Sequence, residues 1–192
     1  MSSRRDDLLD AAITVLAERG LHGVTHRTID TAAGVPTGST SNYFRTREAL
    51  LVAIAERFAV RERDALEQIL SDVNPTTPDE LAAVLARAAR MSTGPLRALT
   101  LARFAMLVES AANPAIRAQL AAIGAGQGEH FQRWMKAAGS MNPQRDMSIL
   151  SNHLTGLVLH EVALPTRDFD PLPSLTALVS ALIPAGRRRA QK

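Results

Sequence analysis

The sequence predicts an all-α protein with about nine helices, and three observations support this. Apolar residues recur at intervals of three and four over long stretches, residues that start and stop helices separate those stretches, and no useful length alternates with period two. At 192 residues and 46% hydrophobic content, the chain can bury the core of one small N-terminal domain and one larger C-terminal domain. No internal repeat is present.

The first predicted helix runs from about Asp6 to Arg19 and ends at Gly20. Its apolar side chains form one stripe, which we expect to pack behind two shorter helices. Arg4 and Arg5 precede it on a predicted flexible arm, which is either solvated or lies along a phosphate or in a minor groove of DNA.

The stretch from Val24 to Ala49 predicts a helix-turn-helix. Thr25 is of the type that caps a helix N-terminus, and Gly34 permits the left-handed backbone that ends a short helix. Ala32 and Ala33 are small enough to let a second helix cross closely, and Val35 would fill the corner.

The segment Thr37–Asn42 contains no apolar residue, so it gains little from burial. Its hydroxyl and amide groups can bind phosphates and base edges, and Gly38 would let the backbone approach a DNA groove closely. A plain surface loop is the alternative interpretation of such a run, and the residues on either side argue against it.

These flanking residues, with others nearby, resemble the tetracycline-repressor (TetR) family of transcriptional regulators. The resemblance covers about the first quarter of the chain, and it implies a DNA-binding helix-turn-helix domain followed by a helical domain that binds an effector and forms a dimer. The matched positions are Leu9–Ala12, Leu16–Gly20, Val24, Thr25, Arg27, Ile29, Ala33–Val35, Gly38, Asn42–Phe44 and Glu48–Leu51.

Four positions depart from the usual family pattern. Pro36 replaces a serine, Arg47 replaces a lysine, and Thr40 and Ser41 replace larger side chains, often leucine and an aromatic residue. Pro36 still fits a first helical turn. The smaller and more hydroxylated surface implies a preference for a different operator.

The predicted DNA contacts lie on both short helices and at the start of the next. Arg27 would reach phosphate or a base edge, although a surface ion pair with Asp30 is its alternative. Tyr43 would combine a buried ring with a polar tip at a phosphate. The full predicted set is Thr25, Arg27, Thr37, Gly38, Ser39, Thr40, Ser41, Asn42, Tyr43 and Arg47.

Six further helices are predicted after the recognition segment. Thr46 is an N-cap candidate for a long helix, which would connect the DNA surface to the second domain. Proline- and glycine-containing breaks separate the rest. The predicted helices run from Thr46 to Leu70, from Pro78 to about Met91, from Leu96 to Ala112, from Pro114 to about Ala138, from about Gln144 to Ala163, and through Leu175–Ile183.

Polar side chains occur among bulky apolar ones in the second domain. A cavity with such a lining would hold a small, mostly apolar ligand, whereas ordinary core packing is the alternative for each single residue. The resemblance implies an effector site in this domain. The predicted pocket residues are Arg103, Phe104, Met106, Leu107, Phe131, Trp134, Asn152 and Thr155.

The last two long helices carry more apolar surface than one core needs, which predicts a four-helix interface between two subunits. A C2 dimer would set two recognition helices about 34 Å apart, one turn of B-DNA. The resemblance implies the same homodimer. The predicted interface residues are Leu150, His153, Leu154, Leu157, Leu175, Leu178, Val179 and Leu182.

The net charge of +3 and the pI near 10.1 say little about nucleic-acid binding. Arg187, Arg188, Arg189 and Lys192 place +4 in the last six residues, so the preceding chain carries −1. We expect this tail to be solvated, with a second phosphate contact as the alternative.

The sequence indicates neither a metal nor a cofactor. The absence of cysteine excludes disulfides and thiolate zinc sites, and His153 and His160 are more typical of a pocket or interface than of a metal site. No apolar run reaches transmembrane length, so a soluble, cytoplasmic protein is expected.

The predicted domains are 1–50 for DNA binding, 51–186 for ligand binding and dimerisation, and 187–192 as the basic tail. The predicted function is that of a ligand-responsive repressor that binds a palindromic operator on double-stranded DNA. A helical ligand-binding or interaction module with little DNA binding is the alternative, because Thr40 and Ser41 are small and the first 50 residues hold six Arg against six acidic residues. No catalytic motif is present, so an enzyme is not expected.

Overall fold

The computed structural model describes residues 3–70 and 73–184, and every regular element within them is a helix. The predicted all-α class is therefore confirmed. The basic tail at 187–192 lies outside the described residues. The helices are α1 (Arg4–Gly23), α2 (His26–Ala32), α3 (Ser39–Tyr43), α4 (Arg47–Leu70), α5 (Pro78–Thr93), α6 (Arg97–Ser110), α7 (Pro114–Ala137), α8 (Pro143–Ala163) and α9 (Leu172–Leu182).

The chain divides into two compact units. Among the described residues, unit one comprises 3–68 and 95–125, and unit two comprises 69–70, 73–94 and 126–184. Unit one thus includes nearly all of α4 together with α6, whereas the predicted boundary after residue 50 separates the DNA-binding helices from α4. That functional boundary stays a prediction.

The core of unit one forms around α1, which packs against α2 and α6. Leu8, Leu9 and Leu16 of α1 are buried in the same apolar cluster as Ile29 of α2 and Phe58 of α4. Burial of each such side chain stabilises the fold by about 1.5–3 kcal/mol. This cluster fixes the short helices that follow α1.

The N-terminal arm that was predicted at Arg4 and Arg5 is instead the first turn of α1. Ser3 caps the helix by accepting a hydrogen bond from the Asp6 N–H, while the Asp6 side chain accepts one from the Ser3 N–H. The Arg5 guanidinium lies 5.3 Å from the centre of the Phe44 ring. A capping box and a cation–π contact therefore order residues that looked like a free basic end.

An ion-pair cluster joins α1 to α4 within unit one. The Arg57 Nε and Nη2 atoms donate to the two carboxylate oxygens of Asp10, at 2.9 and 2.6 Å. Arg61 adds a third contact at 3.3 Å. The hydrogen bond from the Arg57 guanidinium to Asp10 raises the pKa of Arg57 above its ordinary value. This two-point contact sets the rotation of α4 relative to α1.

Unit two packs α5 against α8 and α9. Buried Asp146 accepts a 2.5 Å hydrogen bond from the Ser140 hydroxyl, which orders the turn into α8. At the other end of α8, Glu161 accepts hydrogen bonds from the N–H and the hydroxyl of Thr166. Both ends of α8 are thus tied to the loops beside them.

None of the described helices combines the length and the apolar character needed to span a lipid bilayer.

Candidate nucleic-acid interface

The predicted cap and turn of the helix-turn-helix are confirmed. The Thr25 Oγ1 atom accepts from the Thr28 N–H at 3.2 Å, and the Thr28 Oγ1 atom accepts from the Thr25 N–H at 2.9 Å. After α2, Gly34 adopts a φ of 64°, in the left-handed region that suits glycine. The chain therefore turns sharply towards α3.

Asp30 holds the recognition helix α3 in place. Its Oδ2 atom accepts from the Gly38 N–H at 2.7 Å, and its Oδ1 atom accepts from the N–H and the hydroxyl of Thr40 at 2.8 and 2.5 Å. Asp30 and Thr40 are 2% and 0% exposed. One carboxylate thus satisfies three donors at the start of a five-residue helix that lacks a side-chain cap of its own.

The same hydrogen bonds lower the pKa of the Asp30 carboxyl group. Burial alone raises the pKa of the carboxyl group and is the largest influence, but the hydrogen bonds from Thr40 and Gly38 and the positive field of His26 together outweigh it. The pKa of Asp30 therefore lies below its ordinary value, and the group is a carboxylate at neutral pH.

The far end of α3 is tied to α2 by His26. Its Nε2–H donates to the Phe44 carbonyl oxygen at 2.7 Å, and the Phe44 ring is buried. Together with Asp30, this bond connects α2 to both ends of α3. The recognition helix is consequently held rigidly although it is too short to be stable alone.

Thr40 was predicted to contact DNA, and this prediction is wrong. Its side chain is fully buried, and its hydroxyl is used by Asp30. The alternative of an ion pair between Arg27 and Asp30 is also absent from the described residues, because the Asp30 oxygens bind Gly38 and Thr40. Thr40 therefore positions α3 instead of reading DNA.

The remaining predicted residues of this site leave a polar outer face. Thr25, Arg27, Thr37, Ser41, Asn42 and Tyr43 are exposed, while Gly38 and Ser39 are half-buried. The Ser39 and Ser41 hydroxyls donate to the carbonyls of Pro36 and Gly38, at 2.7 and 2.8 Å. Within the described part of the chain, the side chains of Arg27 and Asn42 form no hydrogen bond or ion pair.

Arg45 is an exposed cation that was not among the predicted DNA contacts. It follows directly after Phe44 at the end of the recognition helix, so its position beside Tyr43 was the available signal. A guanidinium at this point is suited to a phosphate contact.

Arg47 is exposed and binds backbone groups of its own chain, and its predicted contact with DNA stays a prediction. Its guanidinium donates to the carbonyl oxygens of Val24 and Leu21, at 3.0 and 3.2 Å, at the C-terminal end of α1. The predicted N-cap of the same helix is confirmed, because Thr46 Oγ1 accepts from the Ala49 N–H at 3.1 Å. The first turn of α4 is therefore bound to the end of α1.

Replacing Arg47 with alanine should lower the free energy of unfolding by about 1–2 kcal/mol, since two carbonyl groups lose a charged donor. The salt dependence of DNA binding should change little, because the Nη1 and Nη2 groups already donate to carbonyls within the chain. Urea denaturation and salt titration of binding measure the two quantities. A shallower salt slope would instead favour the predicted DNA contact of Arg47.

The predicted pocket residues occur in both units. In unit one, Met106 is buried, Leu107 is exposed, and Arg103 and Phe104 are half-buried on α6. In unit two, the rings of Phe131 and Trp134 meet edge to face at 5.5 Å, whereas Asn152 and Thr155 are exposed on α8. The lining of a pocket by these residues stays a prediction.

The predicted interface residues also separate into two groups. Leu150, Leu175 and Val179 are buried inside the chain, so they belong to the core of unit two and cannot meet a partner subunit. His153, Leu154, Leu157, Leu178 and Leu182 are half-buried. Sequence periodicity showed which helices have apolar surplus but not which side faces outward.

Among the described residues, no three of the His, Asp and Glu side chains are grouped closely enough to hold a metal ion. His160 is exposed, and His153 is half-buried.

This all-α chain contains a capped helix, a glycine turn and a second, polar helix that is held rigidly. These features together are typical of helix-turn-helix proteins. The family model described as "Bacterial regulatory proteins, tetR family" matches residues 8–54, and the one described as "Tetracyclin repressor-like, C-terminal domain" matches residues 76–185. The second match alone covers more than half of the chain. The chain belongs to the TetR family.

Individual relatives agree with this family. The HTH-type transcriptional repressor KstR2 of Rhodococcus jostii (strain RHA1) is 44% identical over 57 residues, 30% of this chain and 28% of the relative. The HTH-type transcriptional regulator BetI of Escherichia coli is 40% identical over 65 residues, 34% of this chain and 33% of the relative. The chain therefore spans about a third or less of the length of these curated relatives.

The crystal structure of the multidrug binding protein EbrR complexed with ethidium is similar over almost the whole fold. Its TM-score is 0.70 at 25% identity, with 95% of this chain and 99% of that chain covered.

Proposed function

We propose that this protein is a transcriptional repressor that binds a palindromic operator as a homodimer and leaves it when a small, mostly apolar effector binds. Family membership and the similarity to a transcriptional repressor support regulation of transcription. The operator, the dimer and the effector are the parts of the proposal that require experiments.

The observation that carries DNA binding is the fixed orientation of α3. Asp30 holds the buried side of the helix, so the side chains of Ser41 and Asn42 are left on the exposed side with Tyr43, which is 48% exposed. Thr37 is exposed just before the helix begins. Polar side chains on a rigid short helix are suited to base edges in the major groove.

Phosphate binding would come from individually placed cations, because the first 50 residues carry no net charge. Arg27 on α2 and Arg45 after α3 are exposed cations on either side of the recognition helix in sequence. Two such contacts per subunit would position the helix without reading sequence.

A dimer through α8 is supported by an exposed face along that helix. Ile149, Gly156, Leu159 and Ala163 recur at helical spacing on its exposed side. Leu159 is 46% exposed, and a Cβ at Gly156 would meet no atom within 4 Å, so a partner helix can approach closely. An isologous pairing would double the DNA contacts.

Release by an effector requires a ligand that prefers one spacing of the recognition helices. The ligand shifts the population of two states only by its differential affinity for them. The contacts of α4 with α1 through Arg47 and Arg57 would carry a movement of α4 to the helix-turn-helix.

Selection of bound sequences from random duplex DNA with the purified protein should yield a palindrome, and this would supply the operator. Asn42→Ala should then weaken operator binding by about ten-fold or more and relax the preference at one base pair of each half-site. Asn74→Ala, in an exposed loop before α5, is the matched control.

Arg27→Ala should weaken binding to all DNA sequences alike and lower the log–log salt slope by about one per subunit. Mobility shifts at several salt concentrations measure this slope. The wild-type protein should show a steep slope, and a flat one would support the alternative of a helical module with little DNA binding.

A further inference from the structure

The hydroxyl group of Ser41 uses its proton inside the chain. It donates to the Gly38 carbonyl oxygen, three residues earlier, at 2.8 Å. The same carbonyl oxygen accepts the helical hydrogen bond from the Asn42 N–H at 3.2 Å. A serine hydroxyl has one proton and two lone pairs, so the Ser41 Oγ atom can still accept a hydrogen bond after its proton has been donated.

This oxygen lies on the exposed side of α3. The preceding residue, Thr40, is buried against Asp30, and successive side chains of a helix point about 100° apart, so Ser41 and Asn42 fall away from the buried side. A Cβ atom at Gly38 would lie 3.9 Å from the Ser41 Oγ atom. Because glycine has no side chain, the oxygen is left open to a molecule that contacts α3.

The spent proton restricts which groups of DNA Ser41 can bind. Phosphate oxygens accept hydrogen bonds and cannot donate them, so Ser41 would have to give up its bond to Gly38 in order to bind one. Guanine O6 and thymine O4 are likewise acceptors in the major groove, whereas adenine N6 and cytosine N4 are donors. The Ser41 oxygen therefore matches the exocyclic amino groups of adenine and cytosine.

The neighbouring polar residues are not restricted in this way. Among the described residues, the side chains of Thr37 and Asn42 form no hydrogen bond, so each can donate or accept at a DNA surface. A contact made by either of them would not identify the chemistry of its partner. Ser41 can be tested more sharply, because the chain itself determines the direction of its hydrogen bond.

We propose that Ser41 is a specificity-determining residue that accepts a hydrogen bond from the exocyclic amino group of an adenine or a cytosine in the major groove. On the DNA strand that it faces, adenine should be preferred to guanine and cytosine to thymine. The inference deepens the proposed function and rests on it, because it requires that α3 enters the major groove of an operator.

The experiment uses the full-length protein and the operator selected from random duplex DNA. Repeating the selection with Ser41→Ala should relax the preference at one base pair of each half-site, and this locates the contact. Every base pair carries one amino donor in the major groove, on its adenine or its cytosine. The amino group is deleted by placing purine where adenine stands, or 2-pyrimidinone where cytosine stands.

This deletion should weaken binding of the wild-type protein by about five-fold and should leave the affinity of Ser41→Ala unchanged. Comparing the two proteins on the same DNA removes the effect of the weaker base pair itself. A 7-deazapurine at the same base pair removes an acceptor instead of a donor, so it should affect the wild-type protein and Ser41→Ala alike.

Ser110→Ala is the matched control. The Ser110 hydroxyl also donates to a carbonyl oxygen three residues earlier, that of Leu107 at 2.7 Å, but it lies on α6. This variant should bind every DNA as the wild-type protein does. Ser41→Ala should keep the wild-type Tm, because Ser41 is exposed and the Gly38 carbonyl retains its bond from the Asn42 N–H.

Three results would overturn the proposal. Equal weakening of all DNA sequences by Ser41→Ala would indicate a phosphate contact, and unchanged binding of this variant to all DNA would show that Ser41 makes no contact. An equal effect of amino-group deletion on both proteins would show that Ser41 does not accept from that group. All three leave specific operator binding intact and contradict this inference alone, whereas a wild-type protein without specific DNA binding would contradict the proposed function as well.

Discussion

Replacing Asp30 with alanine is expected to abolish operator binding and to lower the free energy of unfolding by about 3 kcal/mol or more. The change leaves three donors without their acceptor, namely the Gly38 N–H and the N–H and hydroxyl of Thr40. Each buried donor that loses its partner costs about 1–3 kcal/mol. Urea denaturation and mobility shifts on the selected operator measure the two effects.

A second substitution tests whether this network acts by positioning α3. Thr40→Leu in the Asp30→Ala background removes the orphaned hydroxyl and fills the vacated space, but the N–H groups of Gly38 and Thr40 remain unpaired. The double variant should therefore recover only the part of the stability that the orphaned hydroxyl costs, and the double-mutant cycle should be non-additive by that amount. Additive losses would show that Asp30 and Thr40 act separately.

The Asp30 network also implies sensitivity to acid. The pKa of Asp30 is lowered in the folded state, so the folded state binds protons less readily than the unfolded state. The stabilisation is complete above the ordinary Asp value of 3.8 and is lost as the pH falls through the lower folded pKa. The wild-type protein should therefore lose stability below about pH 4 more steeply than the Asp30→Ala/Thr40→Leu variant.

If the proposed α8 dimer forms, Leu159→Glu should convert it to a monomer and weaken operator binding by about two orders of magnitude or more. A charged side chain at the centre of an apolar contact between two α8 helices would be buried without a partner. A monomer would also lose the gain in affinity that comes from two linked half-site contacts. Light scattering after gel filtration and operator titration are the measurements.

The control for this experiment is Met141→Glu, which adds the same charge to a 96% exposed methionine in the loop before α8. It should remain dimeric and bind the operator normally. Dimers of Leu159→Glu with normal affinity would place the subunit interface elsewhere.

Local signals in the sequence were sufficient to predict the helix-turn-helix itself. Thr25, Gly34 and Thr46 act through hydrogen bonds or backbone angles within a few residues, so their roles could be predicted from residue type and spacing. The break at Pro75 and the start of α5 at Pro78 are equally local.

Contacts between distant residues could not be predicted in the same way. Thr40 was interpreted as surface because a hydroxyl usually faces water, and only the tertiary structure shows that Asp30, ten residues earlier, accepts its hydrogen bonds. The hydrogen bonds of Arg47 could not be predicted, because the carbonyls that it binds lie more than twenty residues away in the sequence. The sequence around Leu175 likewise does not indicate which side of α9 is buried.

The burial of Thr40 separates the residue that holds the recognition helix from those that face outward. Thr37, Ser41 and Asn42 are exposed and support no part of the core, so a combinatorial library at these three positions should leave folding intact. Such a library would be a practical source of mutually orthogonal regulators for synthetic gene circuits, provided that Asp30 and Thr40 are kept.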